Sequence, residues 1–100
     1  MKKVFISQPM RGKTDDEIKF DRLKAVEWIK GYFKDEEVEI IDSFFERAPV
    51  NEKPLWYLGE SLKLLSYADA VYFVDGWNSA RGCNIEHVCA KEYGIDIIHE

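Results

Sequence analysis

The stretch Ala70-Val-Tyr-Phe-Val-Asp-Gly-Trp-Asn-Ser-Ala-Arg-Gly82 decides the architecture. Five apolar residues in a row, rich in β-branched and aromatic side chains, describe a strand over 70–74 that is buried on both faces. Strands of that kind belong to parallel sheets covered by helices. Asp75-Gly76 stops the strand, and Ser79 is placed to cap a helix running to about Tyr93. Gly94 then ends the helix as a C′ residue, and Ile95-Asp-Ile-Ile98 follows as a further strand. Toward the N-terminus, Leu55, Leu58, Leu62 and Leu65 recur at helical spacing behind Pro54, with Asn51 available as a cap. Residues 44–53, which include Pro49, carry no period and are expected to form a loop. Val38-Glu-Ile-Ile41 reads as a strand closed by Asp42-Ser43. Before it, Thr14-Asp-Asp-Glu17 has the spacing of a capping box. That box opens a helix over roughly 15–33, with Ile18, Ala25, Ile29 and Tyr32 on one face and Leu23, Val26 and Phe33 beside them. Lys3 to Ile6 is the first strand.

The resulting order β-α-β-α-β-α-β predicts a three-layer αβα, flavodoxin-like α/β fold. Its four-stranded parallel sheet has order 2-1-3-4, with helices on both faces and right-handed crossovers. One hundred residues, 46% of them hydrophobic, fit a single domain spanning 1–100. Fourteen basic against nineteen acidic side chains leave a net charge of −5, which disfavours a nucleic-acid polymer as partner. The exception is local: residues 1–13 hold Lys2, Lys3, Arg11 and Lys13 and no acid. The apolar run after Met1 is too short for an export signal, and no run approaches the ~20 residues of a membrane span. Cys83 and Cys89 lie about 120° apart on one helix and cannot bridge, so reduced thiols and a cytoplasmic location are expected.

In a sheet of this order, ligands bind outside the carboxyl ends of strands 1 and 3, where the winding reverses. Two loops line that crevice, Ser7-Gln-Pro-Met-Arg-Gly-Lys13 and Asp75-Gly-Trp-Asn-Ser-Ala-Arg-Gly82. Their amides, hydroxyls, arginines, indole and glycines compose a polar small-molecule pocket, although Gly, Pro, Ser and Asn are also ordinary turn residues. Ser79, Gly82 and Glu86 share one helix face, which points Glu86 at the crevice mouth; the alternative is a solvated helix Glu. Trp77 is either a stacking platform or a cover over the sheet end. Asp75 is either a second carboxylate or a turn residue. Cys83 and His87 have a ligand spacing but no nearby third partner, so no metal and no cofactor is expected. Asp69 precedes the third strand at the end away from the crevice and is read as structural.

Two segments resemble the nucleoside 2-deoxyribosyltransferase superfamily, in particular its short, often phage-encoded members. They are Val4-Phe-Ile-Ser-Gln-Pro-Met-Arg-Gly12 and Tyr67-Ala-Asp-Ala-Val-Tyr-Phe-Val-Asp-Gly-Trp-Asn-Ser-Ala-Arg-Gly-Cys-Asn-Ile-Glu86. The resemblance implies that Glu86 is a nucleophile at the anomeric carbon of a deoxyribosyl group. It further implies that Ser7, Gln8, Met10, Arg11 and Gly12 hold the sugar and any 5′ phosphate. Ser79, with Asp75, Trp77 and Gly82, would line the ligand, and the helix before the third strand would add a carboxylate. The short members commonly carry Ser-Gly-Pro-Met where this chain has Ser7-Gln8-Pro9-Met10, and an aromatic hydroxyl where it has Phe5. At the position of the supporting acid stands Ser61, with Glu60 one residue early. The partner implied is a nucleoside or nucleotide, and the family's shared sites imply a homodimer or higher homo-oligomer. Aromatics expected at the surface around Phe44, Phe45, Trp56 and Tyr57 would serve that contact. A binding module without catalysis, or an interaction protein on the same scaffold, are the alternative functions.

Overall fold

The computed structural model describes residues 1–43 and 52–100. Four strands, β1 (Lys2–Ser7), β2 (Val38–Ile40), β3 (Ala70–Phe73) and β4 (Asp96–His99), alternate with three helices, α1 (Asp15–Tyr32), α2 (Pro54–Leu65) and α3 (Arg81–Glu92). All strand pairs are parallel, and the order is β2-β1-β3-β4. The expected sheet is therefore present, with no strand end displaced by more than one residue. β1 extends to include Ser7, β2 ends at Ile40, β3 stops at Phe73, and β4 starts at Asp96 because the Ile95 amide is held by the Ala90 carbonyl at 2.9 Å.

Successive side chains of the two central strands point to opposite faces, and the core divides accordingly. Val4, Ile6, Ala70, Tyr72 and Val74 pack beneath Ala25 and Ile29 of α1. Phe5, Val71 and Phe73 pack on the other side beneath Leu65 of α2 and Ala90 of α3. Both faces of β1 and β3 are covered, which is why these strands read as unbroken apolar runs. At the end away from the crevice, the Lys3 amide donates to Asp69 Oδ2 and the Asp69 amide to the Lys3 carbonyl, each at 2.8 Å. Asp69 thus clamps the start of β3 to β1.

The helices start and stop for local reasons. The Glu17 amide donates to Thr14 Oγ1 at 3.1 Å and the Thr14 amide to Glu17 Oε1 at 2.9 Å, completing the capping box of α1. Hydrogen bonding to Thr14 also lowers the Glu17 pKa. Gly94, at φ +71°, ends α3 in the left-handed conformation expected of it. Ser79 does not cap α3. It belongs to a single 3-10 turn, Trp77–Ser79, and its hydroxyl turns back to the Gly76 carbonyl at 2.8 Å, leaving Ala80 as the N-cap. Lys53 stands at the N-cap of α2; the cap proposed at Asn51 lies outside the described residues.

Two apolar positions break their helical pattern. Leu23 is 58% exposed and Leu55 75% exposed. Both fit the apolar spacing of their helices, and periodicity marks a face without marking where its support ends. Tyr32 is also half exposed and stacks on Trp28, with centroids 5.2 Å apart. None of the described helices is long and apolar enough to cross a membrane.

Candidate active site

The crevice lies where β1 and β3 part. Ser7 pairs with Phe73 in register, and the Val74 amide still reaches the Ser7 carbonyl at 2.9 Å. Beyond that point the chains diverge into the two loops. Gly12 (φ +80°) and Gly76 (φ +89°) take left-handed conformations that only glycine adopts freely. The loops approach each other at their bases, since a Cβ on Gly76 would meet Pro9 Cγ at 3.9 Å.

Beneath this junction lies Glu86, 6% exposed and the only buried carboxylate among the described residues. Its place follows from α3: Cys83, Glu86 and Ala90 form the inner stripe that packs on the sheet. The Ser7 hydroxyl donates to Glu86 Oε1 at 2.6 Å, within the range of hydroxyl to carboxylate bonds. Burial pushes the Glu86 carboxyl up to about 7, the Ser7 hydrogen bond offsetting part of that rise. Burial likewise pushes the Cys83 thiol up to about 11, with opposing effects from Ser7 and Glu86. A carboxylate half ionised near neutral pH, with one oxygen anchored at a crevice, can act as a nucleophile or exchange a proton with a bound ligand.

The other expected site residues are distributed unevenly. Trp77 is half buried, tilted against Phe73 and stacked on His87 with centroids 4.3 Å apart, so it covers the carboxyl end of β3. His87 Nε2 in turn lies 3.4 Å from Glu100 Oε2. Met10 is half buried, whereas Arg11, Gly12, Asp75 and Ser79 face solvent at the rim. Asp75 also helps raise the Tyr72 pKa, after burial. Gly82 faces α2, where a Cβ would sit 3.9 Å from Leu58 Cδ1, so packing within the chain does not require glycine there. Glu60 is bound by Lys63 Nζ at 2.8 Å, and no hydrogen bond joins it to Glu86 or Ser7.

Gln8 is buried and its amide is engaged within the chain. Nε2 donates to the Ile18 carbonyl at 3.1 Å, and Oε1 accepts from Arg22 at 3.2 Å. Arg22 also reaches Ser43 Oγ at 3.3 Å and the Ile41 carbonyl at 2.7 Å, and Ser43 donates to the Ile6 carbonyl at 3.3 Å. One guanidinium therefore fastens α1 to the crevice ends of β1 and β2. Burial lowers its pKa, and Asp42 works against that shift; the group stays charged in either case. Arg22 escaped the sequence reading, yet Ile18, Arg22, Ala25 and Ile29 follow the spacing of an inward stripe, and an arginine within such a stripe is the available signal. Arg22→Ala is expected to cost about 2–3 kcal/mol by orphaning the Gln8 and Ile41 acceptors. Urea titration checks this, and a change below about 0.5 kcal/mol would show that water replaces the guanidinium.

No three His, Cys, Asp or Glu side chains gather as a metal site would need among the described residues. A shallow depression of about 350 Å³ on α1, lined by Lys13, Asp16, Glu17, Phe20 and Asp21, shares only Lys13 with the crevice loops. Asp21 binds that lysine at 2.7 Å, so the depression offers an anion no free cation and has none of the chemistry around Glu86.

No curated protein and no solved structure matches the chain. A family model described as a domain of unknown function, DUF4406, matches residues 2–99. That match takes in all four strands, both crevice loops and Glu86, and the chain belongs to the DUF4406 family.

Proposed function

We propose that the protein acts at the N-glycosidic bond of 2′-deoxynucleosides or their 5′-monophosphates, with Glu86 as nucleophile. The observation that carries this reading is the burial of Glu86 beneath the crevice with one oxygen held by Ser7. The other oxygen attacks the anomeric carbon as the bond to the base breaks, and the base leaves with its bonding electrons and takes up a proton. The resulting glycosyl ester is released to a second base, which is transfer, or to water, which is hydrolysis. The nucleophile must be ionised, and burial makes its carboxylate more basic and less solvated than an exposed one. The proposed place of action is the cytoplasm, that of a host if the protein is phage-encoded, where thiols such as those of Cys83 and Cys89 are kept reduced.

The test is to incubate the protein with the four deoxynucleosides and their monophosphates, with and without a free acceptor base, and to separate the products by chromatography. Free base without acceptor indicates hydrolysis, and a new nucleoside with acceptor indicates transfer. One observation favours a second reading, a nucleotide-binding module without turnover: Glu60, the nearest acid to the position of the supporting carboxylate, is engaged by Lys63. Ligand-induced thermal stabilisation with no product would select it.

Arg11 is exposed at the rim of a loop that contains no acid, and it is the residue proposed to meet a 5′ phosphate. Arg11→Ala is expected to weaken monophosphate binding about 10- to 100-fold, the worth of one charge-assisted contact, and to leave nucleoside binding near its original value. Calorimetric titration of both ligands checks it; equal weakening would mark Arg11 as structural.

A homodimer is proposed as the working form. Trp56, 37% exposed and edge-on to Tyr57 at 5.1 Å, remains from the expected aromatic surface, while Phe44 and Phe45 lie outside the described residues. Sedimentation at tens of micromolar should show a species of about twice 11.7 kDa. A single species at the monomer mass would reject the dimer.

A further inference from the structure

The face of α1 turned away from the sheet is not simply polar. Ile18, Ala25 and Ile29 point inward. On the opposite side Phe20, Lys24, Glu27 and Gly31 recur at intervals of four, three and four residues, which sets them in one line along the helix. Phe20 is 61% exposed, and Leu23 and Trp28, also exposed, flank the line. The Lys24 ammonium lies 5.3 Å over the Phe20 ring. Gly31 has no reason to be glycine within its own chain. It is exposed, takes no left-handed conformation, and a Cβ there would meet nothing within 4 Å. Alanine would serve the helix better, so the space over Gly31 is free for something outside the chain.

The charges on α1 run from one sign to the other along its axis. The first turn carries Asp15, Asp16 and Glu17, and the last turn carries Lys30, with Lys34 just beyond. A second α1 lying antiparallel sets acidic turn against basic turn, whereas a parallel one sets like on like. A two-fold axis midway between Ala25 and Val26 then brings Phe20 of each copy to Gly31 of the other, and Lys24 to Glu27, because each pair is equally far from that midpoint. The missing side chain at Gly31 gives the Phe20 ring a seat and lets the helices approach. Glu27 has no ion pair among the described residues. The shallow depression beside Phe20, lined by Asp16, Glu17 and Asp21, lies where the basic last turn of the second copy arrives. Asp35 to Glu37 belong to the turn back to β2, where the Glu37 carbonyl already accepts from the Lys2 amide at 2.9 Å.

We propose that the outward face of α1 is an interface for a second copy of this chain, seated antiparallel on the same face, with Phe20 against Gly31 and Lys24 paired with Glu27 across the two-fold axis. This rests on the homodimer proposed above and assigns it a surface; it is independent of the activity. The outer face of α2, which bears Trp56, lacks such complementarity, since its Lys63 is engaged by Glu60 on the same helix at 2.8 Å.

Sedimentation of the full chain at tens of micromolar tests the assignment. Lys24→Glu and Glu27→Lys each place like charges opposite one another twice in the dimer, and each should weaken association at least about tenfold. An equimolar mixture of the two variants makes both contacts complementary again and should recover the dimer, a recovery that cannot arise within one chain. Gly31→Phe occupies the seat of Phe20 and should sediment as a monomer of 11.7 kDa. Its thermal unfolding should remain cooperative, because the position has no neighbour in its own chain. Variants as dimeric as the wild type would overturn the α1 surface and leave the homodimer standing. Failure of the mixture to recover the dimer would overturn the antiparallel register. A wild type that sediments only at the monomer mass would reject the homodimer and this surface together.

Discussion

Glu86→Gln should reduce product formation from deoxynucleosides or their monophosphates by at least about a thousandfold, equivalent to roughly 4 kcal/mol of transition-state stabilisation. The amide keeps the shape of the side chain, and its Oε1 can still accept the Ser7 hydroxyl, so ligand affinity should change little. It lacks the charge needed to form the glycosyl ester. Glu86→Ala should be equally inactive but opens a space beside Ser7, into which a small anion such as azide can enter and attack in place of the carboxylate. Partial rescue by azide, with a glycosyl azide as product, would be specific to a lost nucleophile. In the wild type, kcat/KM should climb as pH rises through about 7, because burial places the Glu86 carboxyl there and the ionised form reacts. Normal turnover by purified Glu86→Gln, or a rate independent of pH from 5 to 9, would remove Glu86 from the chemistry.

The same substitution should make the protein more stable, by an amount that depends on pH. The carboxyl is raised from 4.5 to about 7 on folding. Between those values the folded state holds a proton that the unfolded state has released, so stability falls as pH rises through this window. Above about pH 7 the full penalty of a buried charge is present, on the order of 3 kcal/mol. Glutamine carries no such penalty. At pH 8, Glu86→Gln should exceed the wild type by up to about 3 kcal/mol, on the order of 10–20 °C in Tm for a domain of this size. At pH 4, where both side chains are neutral, the two proteins should unfold nearly together. Urea titrations at the two pH values measure this. A variant as stable as the wild type at both would mean that the carboxylate is well solvated in the folded state. A gain at pH 8 together with lost turnover is the pattern of a group retained for function at a cost in stability.

How much was legible in the sequence follows from the range over which each feature is determined. The capping box at Thr14 and Glu17, the left-handed Gly94, the helical spacing of Leu58, Leu62 and Leu65, and the apolar run from Ala70 are settled by neighbours within a few residues. Their order then leaves few topologies, because parallel crossovers are right-handed. The strand order and the place of the crevice at the ends of β1 and β3 therefore follow from local patterns alone. Tertiary structure decided which groups meet there. Glu86 is an ordinary helix carboxylate by pattern, and its burial depends on a contact with Ser7 across 79 residues, set by the register of β1 on β3 and the seating of α3. Gln8 and Arg22 find each other only once α1 lies across β1, which is why a loop amide joins the scaffold. Leu23 and Leu55 fit their helical faces and remain exposed, because a periodic pattern says which way a side chain points and only the packed sheet says whether anything is there to receive it.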